Sequence, residues 1–232
     1  MRQGSLLICF TGIDGSGKTT QAKLLLDWLK SKGIKSKYVW SRGEVLTIRR
    51  IFLFFGRRFL GTTENKIASS EQAHREYQSR KSSLMRNSLV RTLWSTMTYL
   101  EHLIQINMDI RRKMRDGCIV VCDRYLWDSS VDMATLNHKD HQWLSGGWNR
   151  LAWKFVPKPT ITFFIDIPPE EAMKRKSDIP SITYVRERAE AYRYLATRNS
   201  FSVINGCKDP IAIENEIKRT IDIYLEGEVA NG

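Results

Sequence analysis

Near its start the sequence runs Leu6-Leu-Ile-Cys-Phe-Thr11 and then Gly12-Ile-Asp-Gly-Ser-Gly-Lys18-Thr19, an apolar hexamer followed at once by a GxxxxGK[ST] loop. No other feature restricts the possible folds as much. A glycine-rich loop between an apolar strand and an amphipathic helix can fold its backbone N–H groups around phosphate oxygens with no Cβ in the way. The helix that opens near Lys18 aims its partial positive end at the same anion. Lys18 then reaches the outer phosphates and the Thr19 hydroxyl ligates a divalent ion. The cradle comprises Gly12, Ile13, Asp14, Gly15, Ser16, Gly17, Lys18, Thr19 and Thr20, and its chemistry points to ATP and Mg²⁺. The competing reading, a glycine-rich turn with an incidental lysine, does not account for the strand before it and the helix after it.

The remaining sequence supplies the rest of such a fold. Five β-type runs stand out: Leu6–Thr11, Ser36–Ser41, Cys118–Asp123, Thr160–Ile167 and Phe201–Asn205. The first, third and fourth are almost wholly apolar, as suits central strands of a parallel sheet covered on both faces. Helical patterns lie between them at Lys18–Lys32 with Gly33 as a stop, at 83–116 with Gly117 as a stop, and at Pro169–Lys176, Ile179–Arg198 and Pro210–Glu226. Alternation of this kind predicts an α/β P-loop NTPase fold, a five-stranded parallel sheet with helices on both faces. No repeat, linker or low-complexity segment divides the chain, so 1–232 is expected to form a single domain.

Composition narrows the function classes. No apolar run reaches the ~18–20 residues of a membrane span, and the core strand begins too early to leave room for a cleavable signal. Cys9, Cys118, Cys122 and Cys207 form no CxxC pair and read as core thiols in a reducing compartment, the cytoplasm by default. The net charge is +12, and between Arg42 and Arg91 eleven Lys or Arg face four acids, an excess of +7 (11 − 4). Such concentration suits a local anionic ligand, and no nucleic-acid-reading motif accompanies it.

The third strand ends in Asp123-Arg124-Tyr125. A carboxylate at the carboxyl end of a strand beside the first is placed to organise magnesium, and the adjacent guanidinium can grip an acceptor phosphate with two bonds. Alone, the same residues could be a surface Asp–Arg turn.

With these segments in hand, the chain resembles the thymidylate kinase family of nucleoside monophosphate kinases. The matching stretches are FTGIDGSGKTTQAKLL (Phe10–Leu25), CDRYLWDSS (Cys122–Ser130), IDIPPEEAMKRK (Ile165–Lys176), YVRERAEAYRYL (Tyr184–Leu195) and VINGCKDPIAIENEI (Val203–Ile217), with a weaker middle from Ser41 to Arg115. The resemblance implies transfer of the γ-phosphoryl group of ATP to a nucleoside monophosphate, dTMP first among them. It places Lys18, Asp14, Asp123, Arg124 and Arg175 in catalysis, Thr19 and Asp123 at the metal, and Asn205 and Gly206 beside the adenine. Arg175 and Lys176 would open a short mobile lid near 175–182 that neutralises the transferring group. Arg42, Arg49 and Arg124 would hold the acceptor phosphate. Relatives of this kind are usually homodimers.

The acceptor half departs from the family pattern. Arg42 is followed by Gly-Glu-Val-Leu-Thr where Glu-Pro-Gly-Gly-Thr is usual, Asp128 stands where a Ser is expected, and Val131-Asp132-Met133 replaces Ala-Tyr-Gln. The family's base-contacting Arg falls near Glu101-His102. Asp128 and Asp132 are therefore expected at the acceptor, accepting bonds from hydroxyls or meeting a cation. Other nucleotides, a sugar phosphate or a lipid-linked phosphate stay open as acceptors, as does a nucleotide-binding regulatory module. Residues 48–60 put an apolar core between two Arg pairs, either covering the acceptor crevice or resting on an anionic membrane. His138 and His141 lack a third ligand and read as loop histidines. Trp143, Trp148 and Trp153 read as packing anchors.

Overall fold

The structure is a computed structural model, and residues 6–41 and 86–230 of it are described. Arg42, Arg49 and the 48–60 segment lie outside the described residues. Five parallel strands, β1 (Leu7–Thr11), β2 (Ser36–Trp40), β3 (Ile119–Asp123), β4 (Ile161–Asp166) and β5 (Ser202–Asn205), form one sheet in the order β2-β3-β1-β4-β5. The three apolar runs occupy the centre as expected. All residues of β1 and β3 are buried, while β2 and β5, at the edges, keep mostly part-exposed residues.

Seven α-helices accompany the sheet among the described residues: α1 (Lys18–Ser31), α2 (Ser88–Arg115), α3 (Leu126–Leu136), α4 (Gly147–Ala152), α5 (Pro169–Arg175), α6 (Ile182–Arg198) and α7 (Pro210–Ala230). Alternation along each strand divides them into two layers. Ile8 and Phe10 face Leu25, Leu29 and Ile217 on the α1/α7 side. Leu7 and Cys9 face Tyr99, Ile106 and Ile110 of α2 on the other. There, Phe164 and Ile167 pack with Val131 of α3 and with Val185, Tyr192 and Leu195 of α6.

The stops at Gly33 and Gly117 are present, both with left-handed backbone. One boundary and two helices differ from expectation. The sixth helix starts at Ile182 and not at Ile179, because Pro180 holds its predecessor extended and the Ser181 hydroxyl caps the Tyr184 N–H. α3 and α4 have weak sequence patterns, since polar residues of α3 are spent on internal bonds. Trp153 packs on Tyr125 and Trp127, Trp148 lies 6.3 Å from Tyr99, and Trp143 lines the α3/α6 core. His138 closes α3 and His141 lies against Tyr194; among the described residues no group of three or more His, Cys, Asp or Glu is arranged to hold a metal. No helix among them is long and apolar enough to cross a membrane.

This topology puts the loop after β1 at a crevice, with the carboxyl ends of β3 and β4 on either side.

Candidate active site

The loop after β1 is built for close approach. Gly12 has φ 143°, and a Cβ there would lie 2.6 Å from the Ile165 carbonyl of β4, so the loop can lie flat on the sheet only with glycine at that point. α1 begins after Gly17 with no side-chain cap and no acid in its first turn, whereas α2 and α6 are capped by Asn87 and Ser181. Its first N–H groups therefore face the loop with no internal anion to satisfy them. The Ser16 hydroxyl, buried in the same loop, also has no partner.

Lys18 is only 4% exposed and folds back to donate to the Ile13 carbonyl (2.9 Å), with Asp14 at 3.8 Å. Burial pushes its pKa down to about 7, helped by the Arg124 charge; Asp14, Asp128 and Asp123 oppose the shift without cancelling it. Asp14 is the nearest anion, at salt-bridge distance and outside hydrogen-bond reach, so a polyphosphate could add the close partner that the buried ammonium is short of.

Asp123, at the end of β3, is fully buried. Its Oδ2 accepts from the Thr19 hydroxyl (2.6 Å) and the Tyr38 hydroxyl (2.9 Å), while Oδ1 has no partner. A buried carboxylate oxygen without a donor is costly unless a cation meets it. The donor set, one carboxylate and one hydroxyl, is hard oxygen and suits Mg²⁺, which takes few protein ligands and completes its shell with phosphate oxygens and water. The residues present thus fit the ion.

Arg124 turns the chain from β3 into α3 with φ 71°, a sparsely populated conformation for a side-chain-bearing residue. Its N–H donates back to the Phe10 carbonyl (2.9 Å), and its guanidinium donates to Asp14 and to Asp128 (3.1 Å). Burial draws its pKa down, but Asp128, Tyr192, Asp14 and Asp132 outweigh burial and hold it above the ordinary arginine value.

Asp128 is 1% exposed, and both of its oxygens are engaged inside the chain. Oδ2 accepts from the Thr11 hydroxyl (3.0 Å) and the Tyr125 N–H (3.0 Å); Oδ1 accepts from Arg124 (3.1 Å) and the Tyr192 hydroxyl (2.8 Å). The series continues outward. Arg188, 1% exposed, donates to Tyr192 (3.4 Å) and to Asp132 on α3. Asp132 lines a cavity of about 680 Å³ between α2, α3 and α6, together with His102, Gln105, Ser129, Met133 and Arg188. No residue from 12 to 19 lines that cavity; the side chains Asp132, Arg188, Tyr192, Asp128 and Arg124 join the two regions. His102 fastens the inner wall, one ring nitrogen on Ser41 just past β2 and the other on Ser129 of α3.

On the opposite side of the loop, beyond β4, Gly206 donates to the Asp166 carbonyl (2.8 Å) and Arg175 donates to the Gly206 carbonyl (3.1 Å) and to Glu171 (2.9 Å). A Cβ on Gly206 would sit 2.6 Å from methyl carbons of both Ile165 and Ile167. The Asn205 side chain accepts from the Cys207 N–H (2.9 Å) and shapes the same turn.

The residues singled out from sequence therefore fall into three places. Lys18, Thr19, Asp14, Asp123 and Arg124 converge on the loop. Arg175, Asn205 and Gly206 form a separate group on the β4/β5 side. Asp132 faces the cavity, while Asp128 stands behind Arg124. Thr11, Tyr38, Arg188 and Tyr192 were not anticipated, and His102 was named only as the place near which the family's base-contacting Arg falls. Two of them left a trace: Val185, Arg188, Ala189, Tyr192 and Leu195 share the buried stripe of α6, and an arginine on such a stripe announces an internal anion. His102 sits likewise among Ser95, Tyr99, Ile106 and Ile110 on the buried side of α2.

The sequence model of the family described as thymidylate kinase matches residues 75–204, more than half of the chain. Similar curated proteins include a "Probable thymidylate kinase" of Thermococcus kodakarensis, 27% identical across 96% of this chain and 100% of the relative. A "Probable thymidylate kinase 2" of Saccharolobus solfataricus is 28% identical over 97% of this chain and 99% of its own length. The "Thymidylate kinase" of Plasmodium falciparum is 27% identical over 97% and 93%. With its phosphate loop, strand-end carboxylate and parallel sheet, this chain belongs to the thymidylate kinase family.

Proposed function

We propose that the protein transfers the γ-phosphoryl group of ATP to dTMP, giving dTDP and ADP. The observation that carries this reading is the continuous series of ion-paired and hydrogen-bonded side chains from Lys18 in the phosphate loop, through Asp14, Arg124, Asp128, Tyr192 and Arg188, to the cavity at Asp132. It joins a donor-phosphate site to a compartment large enough for a nucleoside monophosphate. An oxygen of the dTMP phosphate attacks the γ-phosphorus, the new O–P bond forms as the bond to the β-phosphate oxygen breaks, and ADP departs with that electron pair. Side chains have little covalent work in such a step, so catalysis is alignment and charge neutralisation.

The loop N–H groups and Lys18 hold the β- and γ-phosphates. Arg124, anchored through two of its N–H donors, presents the others to the acceptor phosphate, and Arg42 and Arg49 assist it. Thr19 and Asp123 would hold Mg²⁺, and the ion would supply positive charge to offset that of the phosphates. Asn205 and Gly206 border the adenine. Residues 175–182 act as the lid, and Arg175 must release Glu171 to reach the transferring group.

The exposed apolar residues Leu89, Leu93, Leu100, Ile104 and Met108 follow one side of α2 and form the face on which a second copy packs. Sedimentation as a monomer at micromolar concentration would contradict that assembly. All four cysteines are free thiols, which suits the cytoplasm.

The reading is tested by measuring ADP release with dTMP against other deoxynucleotide, ribonucleotide and sugar monophosphates. dTMP should be the preferred acceptor, with kcat/KM of ~10⁴ M⁻¹s⁻¹ or better. Preference for another acceptor would overturn it.

A further inference from the structure

Asp128 is buried away from any ligand, yet four groups around the site bond to it. Its four hydrogen bonds come from Thr11 at the end of β1, the Tyr125 backbone at the start of α3, the Arg124 guanidinium, and Tyr192 of α6. A carboxylate has about four lone-pair sites, so none is left over for an acceptor. Thr11 immediately precedes Gly12, and Arg124 occupies a left-handed backbone conformation whose side-chain direction must be fixed from outside.

We propose that Asp128 is a positioning residue: it locks the Arg124 guanidinium at the angle that receives the acceptor phosphate, and ties that angle to the phosphate loop and to α6. The inference rests on the kinase reading above for its kinetic readout, but not for its spectroscopic one. Asp14 holds one arm of the guanidinium from the loop side and Asp128 holds the other from below. Two carboxylates on separate elements define a plane, whereas one leaves the group free to rotate about the remaining bond. The charge also has a second task, because the Arg124 guanidinium is itself buried and needs a carboxylate beside it. Asp128 supplies that carboxylate without occupying the crevice.

The test compares wild type with Asp128→Ser, which keeps a hydroxyl able to accept from Tyr125 N–H but removes the charge, and with Tyr192→Phe, which leaves the carboxylate and deletes one of its donors. Steady-state kinetics with dTMP and ATP are measured beside thermal stability and the ¹⁵N signals of the Arg124 guanidinium. Asp128→Ser should raise KM for dTMP ~10-fold or more while KM for ATP stays within about threefold. Its Arg124 signals should show guanidinium rotation at least about tenfold faster than wild type. Tyr192→Phe should shift KM for dTMP in the same direction by a few-fold, and serves if Asp128→Ser does not fold. A variant that loses stability but keeps both KM values and slow guanidinium rotation would overturn the proposal and leave Asp128 a structural cap. Equal rises in both KM values would overturn it too. If wild type does not phosphorylate dTMP, the functional reading fails, and the guanidinium signals alone decide the positioning role: rotation unchanged in both variants refutes it.

Discussion

Binding of a nucleotide polyphosphate should draw a proton onto Lys18. In the ligand-free protein burial holds this lysine at a pKa of about 7. With phosphate oxygens against its Nζ the group returns to or above its ordinary value near 10.4. At pH 8 about one free molecule in eleven carries the charge, so binding should take up roughly 0.9 proton, falling to ~0.1 at pH 6. Above pH 7 the apparent affinity should drop toward ~10-fold per pH unit from this group. Calorimetry in buffers of differing ionisation enthalpy counts the protons, with Lys18→Met as the reference that removes the lysine and retains the ligand's own ionisation. Stability carries the matching sign. A base whose folded pKa lies below its unfolded one destabilises the fold in full below pH 7, progressively less between pH 7 and about 10.4, and not at all above that. Uptake at pH 8 no greater in wild type than in Lys18→Met would show that Lys18 is already charged before ligand arrives.

Three substitutions probe the surrounding geometry. Asp123→Asn should cut turnover by ~10²-fold or more and raise the Mg²⁺ concentration needed for half-maximal rate, because the amide keeps its shape but not its charge; an unchanged magnesium titration would remove Asp123 from the metal site. Gly12→Ala should abolish nucleotide binding, measured by fluorescence titration, since its Cβ would lie 2.6 Å from the Ile165 carbonyl; normal binding would show that the loop does not need that approach. Asp132→Ala leaves the buried Arg188 without its carboxylate, and should lower stability by ~3–5 kcal/mol in chemical denaturation and kcat/KM for the acceptor ~10-fold; wild-type values of both would make the pair a surface contact.

The sheet was legible because its signals are local. Three apolar runs can be satisfied only by burial on both faces, and Gly33 and Gly117 mark helix ends by a backbone need that few other residues meet. The phosphate loop was legible for the same reason, its spacing being dictated by the anion it surrounds. What eluded sequence was organised across elements. Asp128 looks like an acceptor contact when read along α3, yet it is consumed by Thr11, Tyr125, Arg124 and Tyr192, while Asp132 lines the cavity and is also paired with Arg188, 56 residues away. The helix they occupy was itself obscured, since Asp128, Ser130 and Asp132 break the apolar pattern while bonding inward. Arg175 shows the converse: a position assigned to the transferring phosphate by resemblance lies, in this geometry, against Gly206 and Glu171.

If the protein is a dTMP kinase, the loop at Gly12–Thr19 and the cavity at Asp132 cooperate in one transfer. Following ATP, Mg²⁺ and dTMP with the wild-type protein by ³¹P NMR tests it directly. The β-phosphate signal of dTDP should grow in step with ADP, with little free phosphate. ATP breakdown to ADP and inorganic phosphate, with the dTMP signal unchanged, would contradict it.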